Sequence, residues 1–152
     1  MYQDSNIIDL AHHPELMEQA ARWNHEKWGV PVDAYLDSMY QACQSSTGVP
    51  AWYVVMEGEQ IIAGIGIIEN DFHQRPDLTP NLCAVYVEPP YRMQGLARLL
   101  LNHACRALAA HGIHDAYLIT DHEHLYEKCG WRFYGMIKEN SGGMTRMYHC
   151  HT

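Results

Sequence analysis

Arg92, Gly95 and Ala97 stand at the spacing Arg-x-x-Gly-x-Ala, just after the apolar run Leu82 to Val87 and just before a long helical pattern. A helix start presents backbone N–H groups without intrahelical partners and a partial positive charge, so a turn of this kind is an anion site. Gly95 lets a phosphate approach the backbone, Ala97 keeps that approach open, and Arg92 and Arg98 flank the turn. Their guanidinium groups suit charge-assisted hydrogen bonds to phosphate oxygens. The segment Arg92-Met93-Gln94-Gly95-Leu96-Ala97-Arg98 is therefore read as a phosphate-binding turn. Neither Gly-x-Gly-x-x-Gly nor Gly-Lys-Ser/Thr occurs in the chain, so the dinucleotide fingerprint and the P-loop do not apply.

The elements that must hold this turn follow from hydrophobic periodicity. Ser5 to Leu10 reads as a short strand. Pro14 then begins a helix whose periodic face (Leu16, Met17, Ala20, Ala21, Trp23, Trp28) runs to Gly29. Pro31 starts a second helix with Tyr35, Leu36, Met39, Tyr40 and Cys43 on one side, ended by Gly48-Val49-Pro50. The period then changes: Ala51 to Glu57 and Gln60 to Glu69 are predicted strands joined by a tight turn at Gly58-Glu59. Asn70 to Pro80 is a loop, and Leu82 to Val87, apolar throughout, is a central strand covered on both faces. Gly95 opens a helix through Ala110. The tail reads strand (Ala116 to Thr120), short helix (Glu123 to Cys129), strand (Trp131 to Met136) and strand (Met144 to Tyr148), giving a mixed α/β (α+β) chain.

With 152 residues, 47% hydrophobic and 18% charged, the chain is expected to form one folded domain over 1–152. A net charge of −8 argues against a nucleic-acid partner and favours a cationic small molecule or basic peptide. No apolar run is long enough to span a bilayer, and no basic stretch followed by an apolar block opens the chain, so no membrane partner and a cytoplasmic location are expected. The five cysteines are scattered, with no Cys-x-x-Cys pair, which suits reduced thiols. Among eleven histidines, His149 and His151 alternate on one strand and make half a zinc site; the other half is not evident, so no metal is assigned.

Arg92-x-x-Gly95-x-Ala97 after a buried strand resembles the pyrophosphate loop of the GCN5-related N-acetyltransferase (GNAT) superfamily, and the order of elements is similar along essentially the whole chain. That resemblance implies a mostly antiparallel sheet with helices on both faces, splayed between its fourth and fifth strands, with acetyl-CoA in the splay. It implies that backbone groups of Val85, Tyr86 and Val87 hold pantetheine, and that the N–H groups from Arg92 to Ala97 hold the pyrophosphate. Leu125-Tyr126-Glu127-Lys128-Cys129-Gly130-Trp131 looks like the family's second motif, which makes Tyr126 the catalytic candidate, a phenol placed to meet the departing thiolate. Many relatives bind pantetheine with an Asn where this chain has Ile119; Thr120 is the candidate substitute.

The implied reaction is direct attack of a primary amine on the thioester, with backbone N–H from Val85 to Val87 stabilising the oxyanion and no covalent intermediate. An ammonium must first lose a proton. Asn81 stands where some relatives carry a glutamate base; Glu69, Asp71, His73, Asp121 and His122 are candidates for the acceptor mouth, and Trp28 and Tyr35 for its walls. A non-catalytic acyl-CoA-binding or partner-binding module on the same fold is the alternative. The acceptor, and whether the chain is a monomer or a homodimer, are not legible at this level.

Overall fold

The computed structural model describes residues 1–152 and contains one seven-stranded sheet with helices on both faces. The strands are β1 (Ile7–Asp9), β2 (Ala51–Glu57), β3 (Gln60–Ile68), β4 (Asn81–Val87), β5 (Asp115–Thr120), β6 (Arg132–Lys138) and β7 (Met144–His151), in the order β1-β2-β3-β4-β5-β7-β6. The long helices are α1 (Met17–Trp28), α2 (Val32–Gln44) and α3 (Leu96–Ala110). Every neighbouring pair is antiparallel except β4 and β5.

Alternation along β2 decides which layer each residue joins. Trp52 and Val54 pack with Leu10, Met17, Ala20, Tyr35 and Met39 under α1 and α2. Ala51, Tyr53 and Val55 pack with Leu96, Leu100, Leu101, Ala104 and Leu108 of α3 on the opposite face. Two glycines in β3 make the first of these layers possible. A Cβ at Gly64 would stand 2.9 Å from the Trp23 ring, and one at Gly66 would run into the Trp52 ring. The two glycines leave room for two indoles.

β4 and β5 pair only where Asn81 faces Tyr117, with the Tyr117 N–H donating to the Pro80 carbonyl at 3.0 Å. Beyond that point they part, which is the splay expected between the fourth and fifth strands. In β4, Tyr86 faces Gly64 and Cys83 faces Gly66, so Ala84 and Val85 together oppose the single residue Ile65. Ala84 accordingly takes a left-handed φ of 53°. This is a β-bulge, and it turns the strand beside the gap.

Two expectations are corrected. The first strand is only Ile7–Asp9, because side chains turn the chain on either side of it: Asn6 accepts the Gln3 N–H at 2.8 Å, and Asp9 accepts the Ala11 N–H at 3.0 Å. The short helix over Glu123 to Cys129 shrinks to a 3-10 turn at Glu127–Cys129. His124, at φ 68°, cannot continue a right-handed helix. Gly130, at φ 89°, closes the turn, and the N–H groups of Cys129 and Trp131 both donate to the Tyr126 carbonyl, at 2.9 and 3.0 Å. β6 and β7 each run a few residues past their predicted ends.

Candidate active site

The turn at the C-terminal end of β4 has the form expected of an anion cradle. Pro89–Tyr91 make one 3-10 turn, Met93 and Gly95 follow at φ 65° and 81°, and α3 begins at Leu96. The first ladder bond of α3 runs from the Leu99 N–H to the Gly95 carbonyl, 2.9 Å, so the N–H groups of Leu96, Ala97 and Arg98 have no partner in the helix. Nothing lies within 4 Å of a Cβ added to Gly95, so the cradle is open, and the left-handed φ is what favours glycine there. Met93 and Gln94 lie on the surface, and the Leu96 side chain is sunk in the core, which leaves its backbone for a ligand. Both arginines are anchored to backbone. Arg92 donates from Nε to the Val87 carbonyl at 2.8 Å, and Arg98 donates from Nη2 to the Lys128 carbonyl. Each guanidinium keeps further N–H groups for a phosphate.

Where β4 and β5 part there is a cavity of about 540 Å³, walled by Leu82 to Val85 on one side and Leu118 to Thr120 on the other. Val85, Tyr86 and Val87 are half-buried on β4, whose far side carries no strand beyond Asn81. Thr120 lines the cavity and its Oγ1 accepts the His122 N–H at 3.1 Å, leaving its own hydroxyl proton to donate. Tyr126 is 8% exposed, lines the same cavity, and makes no side-chain hydrogen bond to protein. Burial pushes its phenol up to about 12, with Cys129 adding to the shift. It is therefore fully protonated at neutral pH and available as a donor. A 3-10 turn rather than a helix presents it.

The wide end of the cavity is aromatic and acidic. Trp28, half exposed, stands edge-on to Tyr86 at 6.2 Å, while Tyr35 and Trp52 are buried edge-to-face at 5.6 Å. Asp71 and Asp121 line it, and so does Glu139, which follows β6 and was not singled out from sequence. No Lys or Arg lines the cavity. The Asp71 carboxyl is raised to about 6, first by desolvation and then by the charge of Glu139.

Three of the expected acceptor groups, Asn81, His73 and Glu69, are placed elsewhere. Asn81 is fully buried, away from the cavity: its Oδ1 lies 2.7 Å from His73 Nε2, and its Nδ2 donates to the carbonyls of Leu78 (2.8 Å) and Glu69 (3.1 Å). The Arg75 N–H donates to His73 Nδ1 at 3.1 Å, so the proton of the neutral ring sits on Nε2. Asn81 and His73 thus pin the loop before β4 rather than touch a substrate. Glu69 is exposed and opens on a separate shallow surface pocket. No group of three or more His, Cys, Asp or Glu side chains is arranged to hold a metal ion, and no helix is long and apolar enough to cross a membrane.

A sequence model of the acetyltransferase (GNAT) family matches residues 15–131. None of the curated proteins matches the chain by sequence. Among solved structures, aminoglycoside 6′-acetyltransferase type Ii is similar at a TM-score of 0.70 and 20% identity, over 95% of this chain and 96% of that one. A Salmonella typhimurium protein solved with its cofactor acetyl-CoA is similar at 0.67 and 14%, over 90% and 88%. A variant of spermidine N-acetyltransferase from Vibrio cholerae is similar at 0.67 and 16%, over 95% and 94%. At such identities the likeness is one of fold.

Proposed function

The chain belongs to the acetyltransferase (GNAT) family, and we propose that residues 1–152 work as one domain that moves an acetyl group from acetyl-CoA to a primary amine by direct attack in a ternary complex. One observation carries this reading: Tyr126 and the β4 residues Leu82 to Val85 line one acidic cavity where β4 and β5 part, and β4 runs on directly into the turn that opens α3 with unpaired N–H groups. That arrangement has the parts acetyl-CoA needs, anion-binding N–H groups at one end and strand backbone along the way. The Salmonella typhimurium neighbour, solved with acetyl-CoA, supports the same cofactor here.

The residues then take distinct tasks. N–H groups from Arg92 to Arg98 hold the pyrophosphate, with both arginines completing the shell, and the backbone of Val85 to Val87 holds the pantetheine arm, helped by Thr120. Donors of β4 turned towards the gap stabilise the oxyanion that forms when nitrogen attacks the thioester carbonyl. Tyr126 meets the sulfur. A phenol near 12 is a weaker acid than a thiol, whose ordinary value is about 8.5, so outright proton donation is uphill. Tyr126 acts instead as a hydrogen-bond donor to the developing thiolate, relaying to sulfur a proton that the acylated nitrogen sheds.

The acceptor is a cationic amine, small enough for the cavity or presented by a basic peptide. Asp71, Asp121 and Glu139, with no Lys or Arg among the lining, give the cavity a negative field that attracts and desolvates an ammonium. Trp28 and Tyr35 wall it and offer cation–π faces. Spermidine and an aminoglycoside, named for two of the structural neighbours, are the first acceptors to try. Five free cysteines fit a cytoplasmic protein. Saturable acetyl-CoA binding, lost on Gly95→Glu, tests the cofactor assignment.

A further inference from the structure

We propose that Asp71 is the base that takes the proton from the acceptor's ammonium, and that Glu139 is the positioning residue that tunes it; this rests on the acetyl-transfer reading above.

The two carboxylates come from distant parts of the chain and are brought to one rim by backbone bonds. The Asn140 N–H donates to the Phe72 carbonyl at 2.8 Å, the Gln74 N–H donates to the Lys138 carbonyl at 2.9 Å, and His73 bridges Glu139 between them. From the other side, the buried His73 to Asn81 bond fixes the same loop to β4. Phe72, next to Asp71, is held at a left-handed φ of 62°, an arrangement the chain maintains against its own preference. Asp71 is half-buried, lines the cavity, and makes no side-chain hydrogen bond to protein, so its oxygens are unclaimed.

The cavity is built to receive a donor. Tyr35 and Tyr126, 6% and 8% exposed, line it with hydroxyls that bond no protein group. The ionisable groups that line the cavity with Asp71 are Tyr35 of α2, Cys83 of β4, Asp121 and His122 after β5, Tyr126, and Glu139. Cys83 is raised chiefly by desolvation and then by the charge on Asp71; Tyr35 is raised chiefly by desolvation, then by Cys83 and last by Asp71. Glu139 raises Asp71 in turn. A carboxyl near 6 is ionised at neutral pH and still basic enough to compete for an ammonium proton that desolvation has loosened. Asp121 and His122, by contrast, are exposed.

The proton balance closes. The Asp71 carboxylate takes H⁺ from R–NH₃⁺, leaving R–NH₂, whose lone pair forms the C–N bond as the carbonyl becomes an oxyanion. Collapse breaks the C–S bond. The second proton on nitrogen passes by way of Tyr126 to the sulfur, giving free CoA thiol, and Asp71 returns its proton to solvent through the cavity mouth. One proton is released for each amide formed.

Thiol release from acetyl-CoA is measured from about pH 5 to about pH 9 with spermidine, kanamycin and a lysine-containing peptide as acceptors. Asp71→Asn, an isosteric change, is expected to lower kcat about 100-fold near neutrality, with the residual rate climbing with hydroxide and acetyl-CoA affinity unchanged. Glu139→Gln is expected to raise the KM for the amine and to move the acidic limb of kcat/KM to lower pH, and Glu139→Asp to move both back. An Asp71→Asn profile like that of wild type, or a limb that ignores Glu139→Gln, overturns the proposal. If acetyl-CoA binds but none of the three amines is acetylated, the acceptor reading fails separately. Carbon-13 titration of the Asp71 carboxyl then decides the pairing: a midpoint near 6 that falls on Glu139→Gln upholds it, and an ordinary midpoint overturns it.

Discussion

His73 and Asn81 share a buried hydrogen bond of 2.7 Å, His73 Nε2–H donating to Asn81 Oδ1, and through it the loop that carries Asp71 is tied to the start of β4. Asn81→Ala would strand that N–H together with the Leu78 carbonyl that Nδ2 now satisfies, while the Glu69 carbonyl keeps the Thr79 hydroxyl. The expected cost is about 2–4 kcal/mol. That corresponds to a melting temperature lower by roughly 4–16 °C for a chain of this size. The KM for an amine should rise as the loop loosens, with acetyl-CoA affinity intact. An unchanged melting temperature would mean that the bond is not holding the loop.

Asp71 has a signed effect on stability. Its folded carboxyl, near 6, lies above the unfolded value of about 3.9, so the folded state binds the proton more tightly and ionisation opposes folding. The penalty is absent below about pH 4, grows between about 4 and 6, and is complete above that. Asp71→Asn should therefore stabilise the protein at pH 8 by about 1–2 kcal/mol and leave it unchanged at pH 4. Thermal melts at the two pH values check this; equal shifts at both would refute the desolvated carboxyl.

Gly66 is required by the Trp52 ring, which in turn walls the cavity. Gly66→Ala should cost about 1–3 kcal/mol through overpacking and should also raise the KM for the acceptor as the indole shifts. Gly135, whose added Cβ meets nothing within 4 Å, provides the control. A melting temperature indistinguishable from wild type in Gly66→Ala would show that the ring has room to yield.

Tyr126→Phe removes one hydroxyl from a buried ring without opening a cavity. We expect kcat to fall by about 10²-fold or more with acetyl-CoA affinity unchanged. Full turnover across the pH range would remove the phenol from the mechanism.

Sequence and structure agree best where the signal is local. The Arg92 to Arg98 turn is written in neighbouring residues, and so is its strand-turn-helix setting. The Tyr126 segment was half legible: the Gly130 stop is visible in sequence, whereas the left-handed His124 that reduces the helix to one turn is not. The acceptor end was poorly legible because it is assembled at a distance. Asp71, Glu69 and Asn81 read alike as polar residues around one loop, and only packing separates the cavity carboxylate from the surface one and from the buried lock. Glu139 carried no signal, since its relevance comes from the backbone bonds that bring the end of β6 beside Phe72.

The most direct test of the central claim is to titrate acetyl-CoA into wild type and Gly95→Glu while following thermal stability. Ligand at about 100 times its dissociation constant should add about 2.7 kcal/mol to wild type. Gly95→Glu places a left-handed, negatively charged residue where phosphate must approach, and should lose most of that gain. A saturable rise in wild type that the variant lacks is the predicted result; a flat wild-type curve, or an equal rise in both, would contradict the assignment of the cofactor to this turn.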